Sequence, residues 1–135
     1  MLSKLRNRIA REEQGFTLIE LLVVVIILGI LTAIAIPSYL SFRGRAEDSA
    51  AKANLRSLIP SVESFYADNG TYSGMTVAGL KSTYDQSIDA SVYSVGTTSG
   101  TTYCVWAKAS PTSSTIAYKA GPSAQITVAA TPVCT

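Results

Sequence analysis

The sequence predicts an α+β fold. One long N-terminal α-helix, over about residues 16–68, packs with its C-terminal half on a small antiparallel sheet of three or four strands. Two observations predict this arrangement. A helical pattern of apolar residues continues to about residue 68, whereas residues 73–135 lose that pattern and become rich in Ser, Thr, Gly and Ala. The chain has 135 residues, which is enough for one domain with little left for a second.

The first half of the predicted helix is apolar on every side. Residues 21–42 contain no charged side chain, and about 20 apolar residues suffice to cross a bilayer. The segment before this run is basic, with four cations against two carboxylates in residues 1–15, while residues 16–135 balance seven cations with seven carboxylates. A basic segment followed by an apolar run is typical of a membrane-targeting signal. Because residues 16–135 carry no net charge, a protein that binds polyanions without specificity is disfavoured.

Glu20 lies one residue before the uncharged run, where a carboxylate is costly inside a membrane. Three interpretations fit the segment: a signal peptide cleaved near the small residues Ala33 and Ala35, a plain single-pass anchor, or a membrane helix whose carboxylate has a partner. A signal peptide has no use for Glu20. The simplest alternative to a partnered carboxylate is that Glu20 reaches the lipid headgroups.

The second half of the helix is amphipathic and ends near residue 69. Its apolar residues recur at i, i+3, i+4 and i+7 and form one stripe within residues 55–66. Asn69-Gly70 predicts the helix end, because glycine readily adopts the left-handed capping conformation. Two weak points lie earlier. Gly29 lowers helix propensity, and Pro37 removes a backbone hydrogen bond, so we expect a kink there.

The C-terminal part is predicted to hold short strands over residues 90–95, 102–108, 115–119 and 125–128, joined by turns rich in Gly, Ser and Pro. Short connections favour a meander, laid on the 55–66 stripe. We expect residues 70–89 to form a looser connection. Cys104 and Cys134 are an even pair in an exported segment, which predicts a disulfide.

The residues at the start of the predicted helix and at its end are similar to those of a known family. The motif GFTLIELL at residues 15–22, followed by an apolar helix with Pro37 and then by FYADNGTY at residues 65–72, resembles type IV pilins. The resemblance implies the pilin fold and cleavage by a membrane-embedded prepilin peptidase between Gly15 and Phe16, with N-methylation of Phe16. It also implies that Glu20 pairs with the new N-terminal amine of a neighbouring subunit during assembly. Residues Gly29 to Pro37 are expected to lose helical structure in the filament.

The resemblance divides the chain into three parts. These are a cleaved leader (1–15), a hydrophobic transmembrane and filament-core half of the helix (16–44), and a periplasmic or extracellular globular head (45–135). We therefore predict a structural subunit that leaves the inner (cytoplasmic) membrane as a processed precursor and enters a surface fibre. The expected partners are further copies of itself, the membrane, the peptidase and the assembly machinery. The fibre is expected to serve adhesion, twitching motility or DNA uptake, with surface or DNA ligands; Lys81, Lys108 and Lys119 are a weak candidate DNA patch.

Two rival functions are considered. A pseudopilin of a type II secretion system shares the N-terminal features, but its major form is expected to bind calcium through an acidic C-terminal loop, and no Asp or Glu follows Asp89 here. A membrane-anchored enzyme is disfavoured because the chain has no histidine and no cofactor motif. Two cysteines are also too few for a Cys-only zinc site. We accordingly predict no catalytic residue, no metal and no cofactor.

Overall fold

The computed structural model describes residues 15–134. The chain divides after Ser41 into two compact units, an N-terminal helical unit and a C-terminal unit that begins at Phe42 and contains the head. The predicted leader lies almost wholly on residues 1–14, outside the described residues.

The long helix, α1, comprises Leu18–Asn69 and has 52 residues. Both ends lie within two residues of the predicted bounds. Gly70 has φ of 66°, and its amide donates to the carbonyl of Tyr66 at 2.8 Å. The predicted left-handed glycine cap at the C-terminal end is therefore present. The helix is continuous through Gly29 and Pro37. Loss of helix in a packed filament stays a prediction.

A four-stranded antiparallel sheet forms the other layer of the head. Its strands are β1 (Tyr93–Thr98), β2 (Tyr103–Lys108), β3 (Ile116–Ala120) and β4 (Thr127–Ala129), and neighbours in sequence are neighbours in the sheet. The predicted meander is confirmed, with four strands. In the central pair Val105 lies opposite Lys119 and Trp106 lies opposite Tyr118. This register fixes which side chains face the helix.

The core of the head lies between the apolar stripe of α1 and the inner face of the sheet. Leu55, Leu58 and Val62 of the stripe are fully buried. The fully buried residues of the sheet are Val105, Ala107 and Ala117. Burying side chains of this size provides the main stabilisation of the head. The prediction that strands cover the 55–66 stripe is confirmed.

The prediction of a loose connection over residues 70–89 is wrong, because the segment contains a second helix. This helix, α2, comprises Val77–Thr83, and the hydroxyl of its N-cap Thr76 accepts from the amide of Gly79 at 3.1 Å. Leu80 is fully buried and anchors α2 to the core. The carboxylates of Asp85 and Asp89 then accept bonds from the amides two residues further on, at 2.9 Å each. Local capping and turn bonds thus order this connection.

Candidate functional sites

The expected processing site lies immediately before α1. Gly15, Phe16 and Thr17 precede the first helical residue, Leu18. A Cβ added to Gly15 would meet no atom within 4 Å, so packing within the described chain does not require glycine here. The side chain of Phe16 is 88% exposed. The peptide bond between Gly15 and Phe16 is therefore accessible on its glycine side and followed by an exposed aromatic residue.

Glu20 and Thr17 form a reciprocal cap at the start of α1. The Glu20 carboxylate (Oε2) accepts from the Thr17 amide at 3.2 Å and from the Thr17 hydroxyl at 2.9 Å. The Thr17 hydroxyl oxygen also accepts from the Glu20 amide at 3.3 Å. This is a capping box, which satisfies two amides that the helix leaves without intrahelical partners. The sequence signal for this cap is Thr17 followed three residues later by Glu20, a spacing that the search for catalytic and membrane features passes over.

The first part of α1 exposes its apolar side chains on all sides. Leu18, Ile34 and Tyr39 are among the most exposed, at 82%, 70% and 68%. The helix contains a stretch long and apolar enough to cross a membrane, judged by length and composition. A soluble monomer rarely exposes so much contiguous apolar surface. This surface therefore requires lipid or other protein chains around it.

Gly29 and Pro37, the two predicted weak points of α1, both lie in its exposed apolar part. A Cβ on Gly29 would meet nothing within 4 Å, so no contact within the described chain explains this glycine. The hydroxyl of Thr32 donates to the carbonyl of Leu28 at 2.8 Å and contacts that of Gly29 at 3.0 Å. Such back-bonding weakens and bends helices slightly. Gly29, Thr32 and Pro37 thus concentrate three helix-weakening features within nine residues of the apolar part.

The predicted disulfide between Cys104 and Cys134 is present and links two residues separated by 30 positions. Cys104 belongs to β2 and is buried, whereas Cys134 lies near the C-terminus and is half-buried. The bond ties the C-terminal segment to an inner strand of the sheet. A shallow cavity of about 150 Å³ lies beside it. The lining includes Thr97, Thr102 and Gly121.

Glu63 connects α1 to the sheet through Tyr103 and to the segment after α1 through Tyr72. Its carboxylate accepts from the hydroxyl of Tyr72 at 2.9 Å and from the hydroxyl of Tyr103 at 3.1 Å. The two tyrosine rings pack edge to face with centroids 4.7 Å apart. Burial and the nearby carboxylate raise the pKa of Tyr72 to about 12 and raise the pKa of Tyr103 as well. We call this cluster of three residues the Glu63 brace.

The candidate DNA patch loses one of its three lysines. Lys119 faces the interior and is only 7% exposed, and its ammonium group donates to three backbone carbonyls. It is therefore inaccessible to a phosphate. Lys81 is exposed and Lys108 is half-buried. Among the residues that the structure describes, no group of three His, Cys, Asp or Glu side chains lies close enough to hold a metal ion.

Comparison with known proteins identifies the family. Residues 10–36 match the prokaryotic N-terminal methylation motif, which includes the capped helix start and most of the exposed apolar stretch. The type IV wide pilus major component PilA4 of Thermus thermophilus is 39% identical over 100 residues, which cover 70% of this chain and 72% of that protein. The chain belongs to the type IV pilin family. The long helix and the antiparallel meander of this pilin agree with the fold that the family resemblance implied.

Two further relatives match over a shorter part of the pilin. The type IV major pilin protein PilA of Myxococcus xanthus is 46% identical over 67 residues, which cover 50% of this chain and 30% of that protein. The type II secretion system core protein G of Pseudomonas aeruginosa is 39% identical over 62 residues, which cover 46% and 44% of the two chains. The matches to these two proteins thus span less than half of their lengths. The match to the Thermus protein covers a larger share of both chains than either of these two matches.

Proposed function

We propose that this pilin is a structural subunit of a type IV pilus. Residues 1–15 act as a leader that prepilin peptidase removes, residues 16–44 hold the subunit in the membrane and then in the filament core, and residues 45–135 form the exported head. The observation that carries the proposal is that the methylation motif at residues 10–36 coincides with the capped start of α1, where the apolar side chains of the described residues are exposed. Moving an apolar helix from lipid into a bundle of helices costs little hydrophobic free energy. Such a segment suits both a membrane precursor and a fibre.

Processing is the first step of the proposal. Cleavage between Gly15 and Phe16 creates an ammonium group four residues before Glu20, and N-methylation keeps its charge. In a membrane or a filament core this cation and a Glu20 carboxylate, from the same or a neighbouring subunit, neutralise each other. Because an unpaired buried charge is heavily penalised, the pair selects one axial register between subunits. Glu20 thus acts in assembly and not as a catalytic acid.

The test of processing is mass spectrometry of the subunit in purified surface fibres. We expect a chain that begins at N-methylated Phe16. Gly15→Leu should leave full-length precursor in the membrane, while Gly44→Leu, a change at an exposed helical glycine, should be processed normally. A fibre subunit that retains Met1, or normal cleavage of Gly15→Leu, would contradict the proposal.

The role of the Glu20 charge in assembly can be tested separately from the role of Glu20 in the cap. Glu20→Gln keeps an acceptor oxygen for Thr17 but removes the charge, and Thr17→Ala removes the hydroxyl but keeps the carboxylate. We expect Glu20→Gln to be cleaved normally and to yield few fibres, and Thr17→Ala to yield more fibres than Glu20→Gln. Glu47→Gln removes a carboxylate from the head and serves as the control. Wild-type fibre yield from Glu20→Gln, measured by electron microscopy and shearing, would refute the charge-pairing step.

The second candidate function is a pseudopilin of a type II secretion system, favoured by the match to core protein G. The longer match to the Thermus pilus component supports the pilus instead. Deletion separates the two: loss of surface fibres with intact protein secretion supports a pilus subunit, and the reverse supports a pseudopilin. The relatives are structural proteins by name, and we propose that this chain likewise has no enzymatic activity, no cofactor and no metal. Adhesion, twitching motility and DNA uptake are the activities expected of the fibre.

A further inference from the structure

The side chain of Lys119 is enclosed by the turn that follows its own strand. Its ammonium nitrogen lies 2.8 Å from the carbonyl oxygen of Gly121 and 2.6 Å from the carbonyl oxygens of Pro122 and Ala124. These three residues begin the β3–β4 connection. An ammonium group has three donors, and here all three are used on backbone carbonyls. Lys119 is only 7% exposed, so water competes little for these bonds.

The arrangement resembles the way backbone carbonyls surround a bound cation. Carbonyl oxygens from a short loop converge on one positive charge, as they do around hard metal ions. Among the described residues, no backbone amide of a turn or loop donates to any of these three carbonyls. Without the ammonium group, the three carbonyl oxygens would converge without a donor in a turn whose first residue, Gly121, is buried. Their mutual repulsion and lost hydrogen bonds would open it.

The register of the sheet places the cation on the inner face. Lys119 lies opposite buried Val105, and its ammonium nitrogen lies 5.9 Å from the centroid of the Tyr103 ring. The hydroxyl of that tyrosine donates to Glu63. Burial lowers the pKa of Lys119, and the charge of Glu63 opposes this shift. The cation thus lies between the carbonyls of the turn and the Tyr103 ring of the Glu63 brace.

We infer that Lys119 is a tethered structural cation, which shapes the β3–β4 turn of this pilin in the way that a bound metal ion shapes other loops. The consequence concerns the surface that the head presents. The turn and the Cys104–Cys134 disulfide both border the cavity lined by Thr97 and Gly121. No Asp or Glu follows Asp89 in the chain, and the nearby Glu63 carboxylate already accepts from Tyr72 and Tyr103. We therefore expect the conformation of the turn to be independent of the metal ions in the medium.

The first experiment compares Lys119→Met with Lys108→Met in the full chain in detergent micelles. Lys108 belongs to the adjacent strand and faces the other side of the sheet, so it controls for loss of a lysine. We expect Lys119→Met to lower the melting temperature by about 5–15 °C and to speed exchange of the Gly121 amide, which donates to the carbonyl of Tyr103, by about tenfold or more. Lys108→Met should change neither. Equal behaviour of the two variants would overturn the inference.

The second experiment tests whether a free cation replaces the tethered one. Ethylammonium chloride should restore part of the lost melting temperature of Lys119→Ala, whereas tetramethylammonium, which has no N–H donor, should not. Calcium, magnesium or a chelator should leave the melting temperature of the wild-type protein unchanged. Rescue by tetramethylammonium equal to that by ethylammonium, or stabilisation of the wild type by divalent cations, would refute the proposal.

A third measurement needs no variant and remains informative if the substitutions prevent folding. An amine-reactive reagent should modify Lys119 of the folded wild-type chain at least about tenfold more slowly than Lys81 or Lys108, because all three of its donors are engaged and its ammonium group is enclosed. Peptide mass spectrometry gives the rate for each lysine. Equal rates for Lys119 and Lys81 would show an accessible amine and sink the inference.

Discussion

Replacing Tyr103 by Phe removes a single oxygen from the Glu63 brace and leaves the ring in place. Tyr103 is 2% exposed, and its hydroxyl donates to the Glu63 carboxylate at 3.1 Å. Hydrogen bonds to charged groups stabilise proteins by about 1.5–3 kcal/mol. Glu63 itself is exposed and keeps its bond from Tyr72, so it regains water on one side. We therefore expect the lower end, about 1.5 kcal/mol.

This loss corresponds to a fall in melting temperature of about 6–12 °C for a head of this size. Circular dichroism at increasing temperature, on the full chain in detergent, measures it. Tyr93→Phe is the matched control, because the Tyr93 hydroxyl bonds the neutral hydroxyl of Ser57 at 3.0 Å at an exposed site. The control should lower the melting temperature by no more than about 3 °C.

The brace also predicts how stability depends on pH. Tyr72 ionises in the folded chain with a pKa of about 12 against 10.0 for the ordinary side chain, and the pKa of Tyr103 is raised too. The unfolded chain therefore loses these protons first as pH rises, and the free energy of unfolding falls above pH 10. Below that pH the contribution is fully present. Tyr103→Phe removes one of the two groups, so its stability should fall less steeply between about pH 10 and pH 12.

Two results would refute this reasoning. The first is a Tyr103→Phe variant as stable as the wild type in urea at neutral pH. The second is strict additivity between Tyr103→Phe and Glu63→Gln, since residues that share a hydrogen bond show coupling of about 0.5 kcal/mol or more in a double-mutant cycle. If the stability of Tyr103→Phe fell with pH as steeply as that of the wild type, the group with the raised pKa would be another residue.

Three other substitutions test the head. Cys134→Ser should lower the free energy of unfolding by about 3–4 kcal/mol, because the disulfide closes a loop across 30 positions; a melting temperature equal to that of the oxidised wild type would contradict it. Gly96→Ala should lower the free energy of unfolding in urea by about 1–3 kcal/mol, because the added Cβ would lie 2.5 Å from Cζ3 of Trp106. Unchanged Trp fluorescence and stability would argue against that close contact. Leu58→Ala should cost about 2–5 kcal/mol, as Leu58 is fully buried; a loss under 1 kcal/mol would mean that the stripe does not face the sheet.

The parts of the fold that follow local rules were predictable from the sequence. The stripe containing Leu55, Leu58 and Val62 repeats with the helical period, and the Asn69-Gly70 stop uses a residue that accepts positive φ. The strands were found because β-branched and aromatic residues alternate between turn residues. Their bounds shifted by up to three residues, since β1 begins at Tyr93 and not at residue 90. The hydrogen bonds between neighbouring strands set where each strand begins and ends, and the sequence of one strand does not reveal its pairing with the next.

The parts that depend on contacts between distant residues were not predictable. The brace joins Glu63 to Tyr103 across 40 positions, and Lys119 looked like a surface residue until the register placed it opposite Val105. The helix α2 was missed for a different reason. It has only seven residues, and Gly79 within it lowers helix propensity, so its cap at Thr76 and the burial of Leu80 decide its structure.

The capping box at the start of α1 bears on how Glu20 could act in assembly. Both bonds from Thr17 reach the same carboxylate oxygen, Oε2. A carboxylate has two oxygens with about four acceptor positions, so an incoming ammonium group can bind without displacing Thr17. The cap holds the Glu20 side chain against the first turn, which reduces the rotamer entropy lost when the charge pair forms. The local cap and the proposed pair with Phe16 therefore reinforce each other, and removing Thr17 should slow assembly without abolishing it.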